Sequence, residues 1–256
     1  MYADVTDITR DAMLFRARLQ HTKSLLEPED FWYPYDSLSN FVHFERLLQG
    51  ENRSAFEKLR NRTIADIGAA DGDMAFFFES LGNRVDVIDH APTNFNGLRG
   101  VNRLRTHLDS TVSVHDVDLD NRFRLPREHY DVAFFLGILY HLKNPFTIME
   151  SLAARVDTCF LSTKVTKFAG SPPRLLEELP VAYLLGADEA NNDPTNFWVF
   201  TNSGLRRLLD RTGWDVLEYT TVGNTVNSDP ATPAGDERAF CYLRSRRAPK
   251  SNGMGS

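Results

Sequence analysis

The chain has 256 residues, of which 42% are hydrophobic, 25% charged and 11% aromatic, a globular composition that excludes collagen-like, coiled-coil and wholly disordered readings. Its formal net charge of −6 provides no global basic field for nucleic acid. No run approaches the roughly 18 continuous apolar residues of a spanning helix, residues 1–10 lack the apolar core of a signal peptide, and the two cysteines, Cys159 and Cys241, lie in separate apolar runs without CxxC or zinc spacing. A soluble cytoplasmic protein with no membrane partner is the expectation.

In chain order, Ile8, Ala12, Phe15 and Leu19 recur at helical spacing and predict a helix over 6–26, stopped by Pro28. Phe31-Trp32-Tyr33-Pro34-Tyr35 follows, then a second helix over 38–48 ended by Gly50. From Thr63 the pattern changes to short apolar runs at 63–67, 84–89, 111–115, 130–136, 158–163, 215–220 and 239–243, read as strands. Helices fall between them: one from Gly72 to Gly82, one opened by Asn144-Pro145, and one over 203–212 with Leu205, Leu208 and Leu209 inward. Such alternation implies an α/β fold, a doubly wound and mostly parallel sheet with helices on both faces. The expected organisation is an N-terminal helical and aromatic lid segment over 1–60, a sheet domain over 61–246 and a flexible tail over 247–256. Ligands of these sheets bind beyond the carboxyl ends of the strands.

At the first such end the chain reads Asp66-Ile67-Gly68-Ala69-Ala70-Asp71-Gly72, whose small residues permit a tight turn and close backbone approach. The helix that follows offers unpaired N–H groups to an anionic group such as a carboxylate. Asp89 ends the second strand 23 positions after Asp66, near the offset of about 20 at which an acidic residue meets a ribose diol. Asp116 comes at the end of the third. One aspartate after a strand is commonly a cap or an Asx turn, but three around a glycine turn favour a nucleoside pocket. The loop has no Lys or Arg, and Asp71 and Asp73 would repel a pyrophosphate, so an adenosine ligand with a positive centre fits better than a dinucleotide.

These residues resemble the class I S-adenosylmethionine-dependent methyltransferases. Leu136-Gly-Ile-Leu-Tyr-His-Leu-Lys-Asn-Pro145 and Gly72-Asp-Met-Ala-Phe-Phe-Phe78 are similar to the branch that contains the tRNA wobble-uridine carboxymethyltransferases and their uncharacterised relatives. The resemblance implies a Rossmann-like, seven-stranded methyltransferase sheet with its last strand antiparallel. It also implies S-adenosylmethionine as cofactor and S-adenosylhomocysteine as product. The Gly68–Gly72 loop, with Ala70 and Asp71, would lie against the methionyl part, Asp89 would bind the ribose hydroxyls, Asp116 the adenine amino group and the Val117 backbone the adenine ring; His90 joins the cofactor set, and Asp66, at the strand end, holds backbone amides or faces a cationic ligand. Leu136 and Gly137 would complete the cofactor set. Ala70 stands in place of the middle glycine, a change that suits a negative φ. Leu142 and Lys143 replace the arginines that follow the Tyr-His pair in tRNA-acting members, so neither tRNA nor a carboxylated donor is carried over.

On the acceptor side, His141 is the candidate base, because neutral imidazole accepts a proton at pH 7; its structural alternative is a bond to a backbone carbonyl that holds the loop. Tyr140 touches cofactor or acceptor, or packs. Asn196 and Trp198, within Asp193-Pro-Thr-Asn-Phe-Trp-Val-Phe200, offer an amide and a flat amphipathic surface, with a core strand as the alternative for the aromatics. Tyr33 and Tyr35 belong to a lid or to an aromatic plug. Asn191, Asn192 and Asp193 read as a turn, and no convergent carboxylate set for a metal is located. Two basic groups, Arg99/Arg103/Arg105 and Lys164/Lys167/Arg174, are where an anionic acceptor would be met, and otherwise form solvated faces. The reading is a methyltransferase acting on an oxygen or nitrogen of a small molecule, a natural-product or sugar intermediate. Its alternatives are a tRNA-modifying methyltransferase and a catalytically inactive cofactor-binding partner protein.

Overall fold

Asp4 starts the first element by accepting from Thr6 N at 2.9 Å, which caps α1 (Val5–Leu26). The computed structural model describes residues 4–57, 59–121, 123–190 and 193–248. The turn expected at Asn191 and Asn192 and the tail beyond 248 lie outside them. The second expected helix is shorter than its pattern. A 3₁₀ turn over Ser37–Asn40, capped by Asp36 on Leu38 N, runs into α2 (Phe41–Leu47).

Alternating elements follow: β1 (Thr63–Ile67), α3 (Asp73–Ser80), β2 (Arg84–Asp89), α4 (Arg99–His107), β3 (Ser113–Asp116), β4 (Tyr130–Leu136), α5 (Pro145–Ala153) and β5 (Val156–Thr166). Then come β6 (Phe168–Ala169), β7 (Arg174–Leu175), β8 (Ala182–Leu184), β9 (Trp198–Thr201), α6 (Asn202–Thr212), β10 (Trp214–Gly223) and β11 (Glu237–Ser245). The main path of the sheet is β10-β11-β5-β4-β1-β2-β3, parallel except for β11, which is antiparallel to both neighbours. The seven expected strands therefore form the sheet, and β8 and β9, from the segment after β5, extend it to nine. Strand β3 begins later than expected because Glu79 accepts from both the amide and the hydroxyl of Thr111, at 2.6 and 2.7 Å.

Strands β1 and β4 are buried on both faces, which is why they read as unbroken apolar runs. One face carries a phenylalanine core in which Phe134 stacks on Phe160 (5.3 Å, 8°) and Phe56 on Phe160 (4.9 Å, 8°). Helices α1 and α2 pack into this core through Val5, Ile8, Ala12, Phe41 and Phe44. The other face holds Met149, Leu152, Leu205, Leu209 and Trp214 of α5, α6 and β10. Burying each large apolar side chain contributes about 1.5–3 kcal/mol, so both faces are anchored, and Asp66, Asp89 and Asp116 stand at the carboxyl ends of β1, β2 and β3. No helix among the described residues is long and apolar enough to cross a membrane.

Candidate active site

The β1–α3 turn is shaped by contacts with its neighbours. Gly68 N donates to Ile88 O at 2.9 Å and Gly72 N to Ala69 O at 2.8 Å. Gly68 has φ +71°, and a Cβ there would stand 2.3 Å from Ile138 Cγ2, so the loop can lie against the β4 end only as glycine. The negative φ that would make alanine an easy replacement for glycine is not met at Ala70: it sits at +53°, in the left-handed region that disfavours a side chain.

Asp66 is buried at the end of β1, 5% exposed, with Oδ2 lacking a hydrogen-bond partner. Burial and the nearby Asp89 push its carboxyl up to about 7, against a bond from the Ala75 amide. Asp89 accepts from Ala70 N (3.0 Å) and Asn94 Nδ2 (3.0 Å) on one oxygen and from His90 N (2.7 Å) on the other. Burial nevertheless holds its carboxyl above the ordinary value. Across the sheet Asp89 is the register partner of Asp116. Asp116 Oδ1 meets Ala91 N at 2.9 Å and His90 Nδ1 at 3.3 Å. Past Asp116 the rim opens into a groove lined by His115, Val117, Asn121, Arg124 and Pro126.

Two expected contacts are altered by the protein's own bonds. Val117 N already donates to Asp89 O at 2.8 Å, so that amide is not free for a ring. The Asp71 carboxylate is buried and taken by Tyr33 N (2.8 Å), Asn96 Nδ2 (2.8 Å) and Lys23 Nζ (3.2 Å). Lys23 also pairs with Asp73 at 2.7 Å. Burial alone would pull the Lys23 ammonium down, but Asp73 and Asp71 outweigh it and raise it. Burial lifts Asp73 to about 6 despite Lys23. This buried cluster ties α1 and the aromatic segment to the loop. Tyr33, whose phenol is driven to about 12 by burial with Tyr140 and Asp89 nearby, packs edge-on against Tyr35 at 5.8 Å and Phe95 at 6.0 Å. Tyr35 itself is 73% exposed.

At the end of β4, Leu136 is half-buried and Gly137 N donates to Ser162 O at 2.9 Å. Tyr140 is buried, and its carbonyl accepts from Phe197 N at 2.8 Å, which stitches the 193–198 segment to this edge. His141 Nδ1 faces two atoms of Thr195, the carbonyl at 3.1 Å and Oγ1 at 3.0 Å. A carbonyl only accepts, so Nδ1 carries the proton and Nε2 the lone pair. Thr195 Oγ1 in turn lies 2.6 Å from Asp193 Oδ1, to which it donates. Burial lowers the His141 pKa against the opposing pull of Thr195 and Asp193, so the ring is neutral at pH 7. The structural role considered for His141, a bond to a backbone carbonyl, is thus present and leaves the second nitrogen available.

Asn196 and Trp198 are placed differently from their expected use. Asn196 is buried, with Nδ2 on Ala190 O at 3.1 Å and Oδ1 unpartnered. Trp198 begins β9 and donates Nε1 to Lys143 O at 3.3 Å, bracing the loop before α5. Residues that spacing did not single out complete the site: Lys23, Asn94, Asn96, Thr195 and Arg238. Lys23 is 48 residues from Asp71, Thr195 is 54 from His141 and Arg238 is 98 from Tyr140, so no local pattern joins them.

A family profile described as a methyltransferase domain matches residues 41–219. Among solved structures, the N-terminal domain of EvdMO1 with SAH bound is 16% identical, with a TM-score of 0.55 over 90% of this chain and 97% of that one. A putative methyltransferase from Bacillus halodurans is 12% identical (TM-score 0.53, 77% of this chain and 100% of that one). TehB from Haemophilus influenzae is 14% identical (TM-score 0.53, 81% and 66%). No curated protein matches the sequence. At these identities the neighbours speak to fold alone, whereas the profile spans more than half of the sequence: the chain belongs to the methyltransferase-domain family.

Proposed function

We propose that the chain is an S-adenosylmethionine-dependent methyltransferase that acts on an oxygen or nitrogen of a small-molecule acceptor. One observation carries the reading. Asp66, Asp89 and Asp116 come from three strands to one rim, and the buried Asp66 leaves an oxygen without a partner. An acidic rim with a spare buried acceptor suits a nucleoside that bears positive charge. The likeness to the N-terminal domain of EvdMO1, solved with SAH bound, supports the same cofactor. In this reading Asp66 faces the charged methionyl end, Asp89 and His90 the ribose, and Asp116 the adenine.

When bound, S-adenosylmethionine supplies an electrophilic methyl group on a sulfonium. The chain's own contribution is alignment and exclusion of water. Tyr33 and the Lys23-bound segment cover the rim, Gly137 and Tyr140 form the wall beside the reacting atoms, and His141 Nε2 takes the acceptor proton. The acidic net charge does not favour tRNA, and part of the basic α4 stripe is engaged: Arg103 pairs with Glu27 at 3.1 Å and Arg99 lies 5.4 Å over the Phe31 ring. A small acceptor is also in keeping with the EvdMO1 domain, whose structure was determined in the presence of SAH and D-fucose. Titration calorimetry with S-adenosylmethionine, S-adenosylhomocysteine and NAD tests the cofactor. Saturable binding of the first two and none of the third is expected; binding of NAD alone would overturn the reading.

A further inference from the structure

Of the basic residues at 164, 167 and 174, Lys167 is committed to Glu177 at 3.2 Å and Arg174 is exposed on β7. Lys164 is different. It is 9% exposed and is the register partner of Arg238 across the antiparallel β5–β11 pair, which places both side chains on one face of the sheet. Both cations lie over the Tyr140 ring, Lys164 Nζ 5.5 Å from its centroid and the Arg238 guanidinium carbon 5.7 Å. Arg238 Nη1 reaches Tyr140 Oη at 3.4 Å. A Cβ built on Gly137 would stand 3.8 Å from each of those two atoms, so the pair borders the β4 end beside His141.

The protein under-supplies these cations with acceptors. Asp236 is shared between them, Oδ1 3.4 Å from Lys164 Nζ and Oδ2 3.1 Å from Arg238 Nε. The first distance exceeds the roughly 2.7–2.9 Å of a charge-assisted bond. Asp193, the other carboxylate near His141 and Lys164, bonds Thr195 through Oδ1 alone, from the amide (2.9 Å) and the hydroxyl (2.6 Å), and makes no hydrogen bond to either cation among the described residues. Among the described residues, Arg238 Nη2 has no protein partner. An ammonium has three donors and a guanidinium five; the Lys164 side chain is 11% exposed and that of Arg238 35%, so donors the protein leaves unpaired here face a partly water-excluded surface that an incoming anion can reach.

We propose that Lys164 and Arg238 bind an anionic oxygen group, a carboxylate or a phosphate, of the acceptor and so set its nucleophilic atom toward His141. The assignment rests on the methyltransferase reading only for what the bound molecule is used for; the anion site itself stands apart from it. The test is calorimetry on the full chain, with and without saturating S-adenosylhomocysteine, using benzoate, phenyl phosphate and the neutral benzamide as probes. At least one anion is expected to bind ten times or more tightly than benzamide, and the tighter of the two identifies the source as carboxylate or phosphate. Lys164→Gln and Arg238→Gln should each weaken that anion at least fivefold, Lys164→Arg should restore it, and S-adenosylhomocysteine affinity should stay within twofold. Should Arg238→Gln fail to fold, the Lys164 pair of variants decides. Anions that bind no better than benzamide, or whose affinity ignores Lys164, overturn the proposal. Failure of the nucleoside to bind overturns the cofactor reading instead and leaves the anion comparison intact.

Discussion

Thr195 presents both its hydroxyl, at 3.0 Å, and its carbonyl, at 3.1 Å, to Nδ1 of His141. Because Thr195 donates its own proton to Asp193, it can only accept from the ring, and the tautomer with a basic Nε2 is fixed. His141→Ala should lower turnover about 10²–10⁴-fold, the usual range for a positioned base, with S-adenosylmethionine affinity little changed. Thr195→Val keeps one acceptor for Nδ1, the carbonyl, and should give a smaller loss in kcat. Steady-state kinetics beside calorimetry separates the two effects, and unchanged turnover in His141→Ala removes the base.

The same ring sets an acid limit. Burial depresses the His141 pKa, so the neutral form persists below the ordinary value of 6.5. The acid limb of the kcat profile should therefore fall below pH 6.5 and vanish in His141→Ala; a limb at higher pH assigns it to another group.

Asp66 predicts a different pH effect, on cofactor affinity. Its folded pKa is raised from 3.8 to about 7, so it favours the unliganded fold at acid pH, and that contribution is lost as pH rises through about 7. A positively charged ligand binds the ionised form. Affinity for S-adenosylmethionine should thus rise by about tenfold between pH 5.5 and 7.5, and Asp66→Asn should abolish the slope. Dissociation constants measured across that range by calorimetry check both.

Asp89→Ala should weaken S-adenosylmethionine by about 1.5–3 kcal/mol, the scale of a hydrogen bond to a charged group. The variant also frees the amides of Ala70 and His90, so its thermal unfolding is recorded alongside. Unchanged affinity in a folded variant rejects the ribose assignment.

Lys23→Met leaves Asp71 and Asp73 buried without their cation and should destabilise the fold by about 3 kcal/mol at pH 7.5. At pH 5 the penalty should shrink, since Asp73, at about 6 with Lys23 present, is then protonated. Urea denaturation at both pH values reads the difference, and equal penalties would show that the carboxylates do not depend on Lys23.

Gly68→Ala combines a left-handed φ with a Cβ driven into Ile138 and should cost about 2–4 kcal/mol. Ile138→Ala relieves only the second term, so the double variant should recover part of the loss relative to Ile138→Ala alone. Chemical denaturation of the four-member cycle measures the coupling.

The sheet and the nucleoside rim were legible because their signals are local. Each strand of the parallel core is a short apolar run, so β2 and β4 were bounded to the residue, and an aspartate at a strand end follows the strand wherever it goes. The seven-strand count with an antiparallel last strand came from resemblance, the strand order from the tertiary structure, and β8 and β9 are too short and irregular to carry a pattern of their own. The left-handed conformation of Ala70 is not legible in the sequence, because φ at one residue depends on the turn it closes and not on its neighbours' types. What only the tertiary structure decided is which groups share space: Lys23 with Asp71, Thr195 with His141, Lys164 and Arg238 with Tyr140. Each of these pairs joins segments brought together by the burial of two apolar faces of one sheet. The sequence thus determined the elements and the acidic character of one rim, through periodicity and residue chemistry. Long-range packing decided which carboxylates the protein consumes itself and which remain for a ligand.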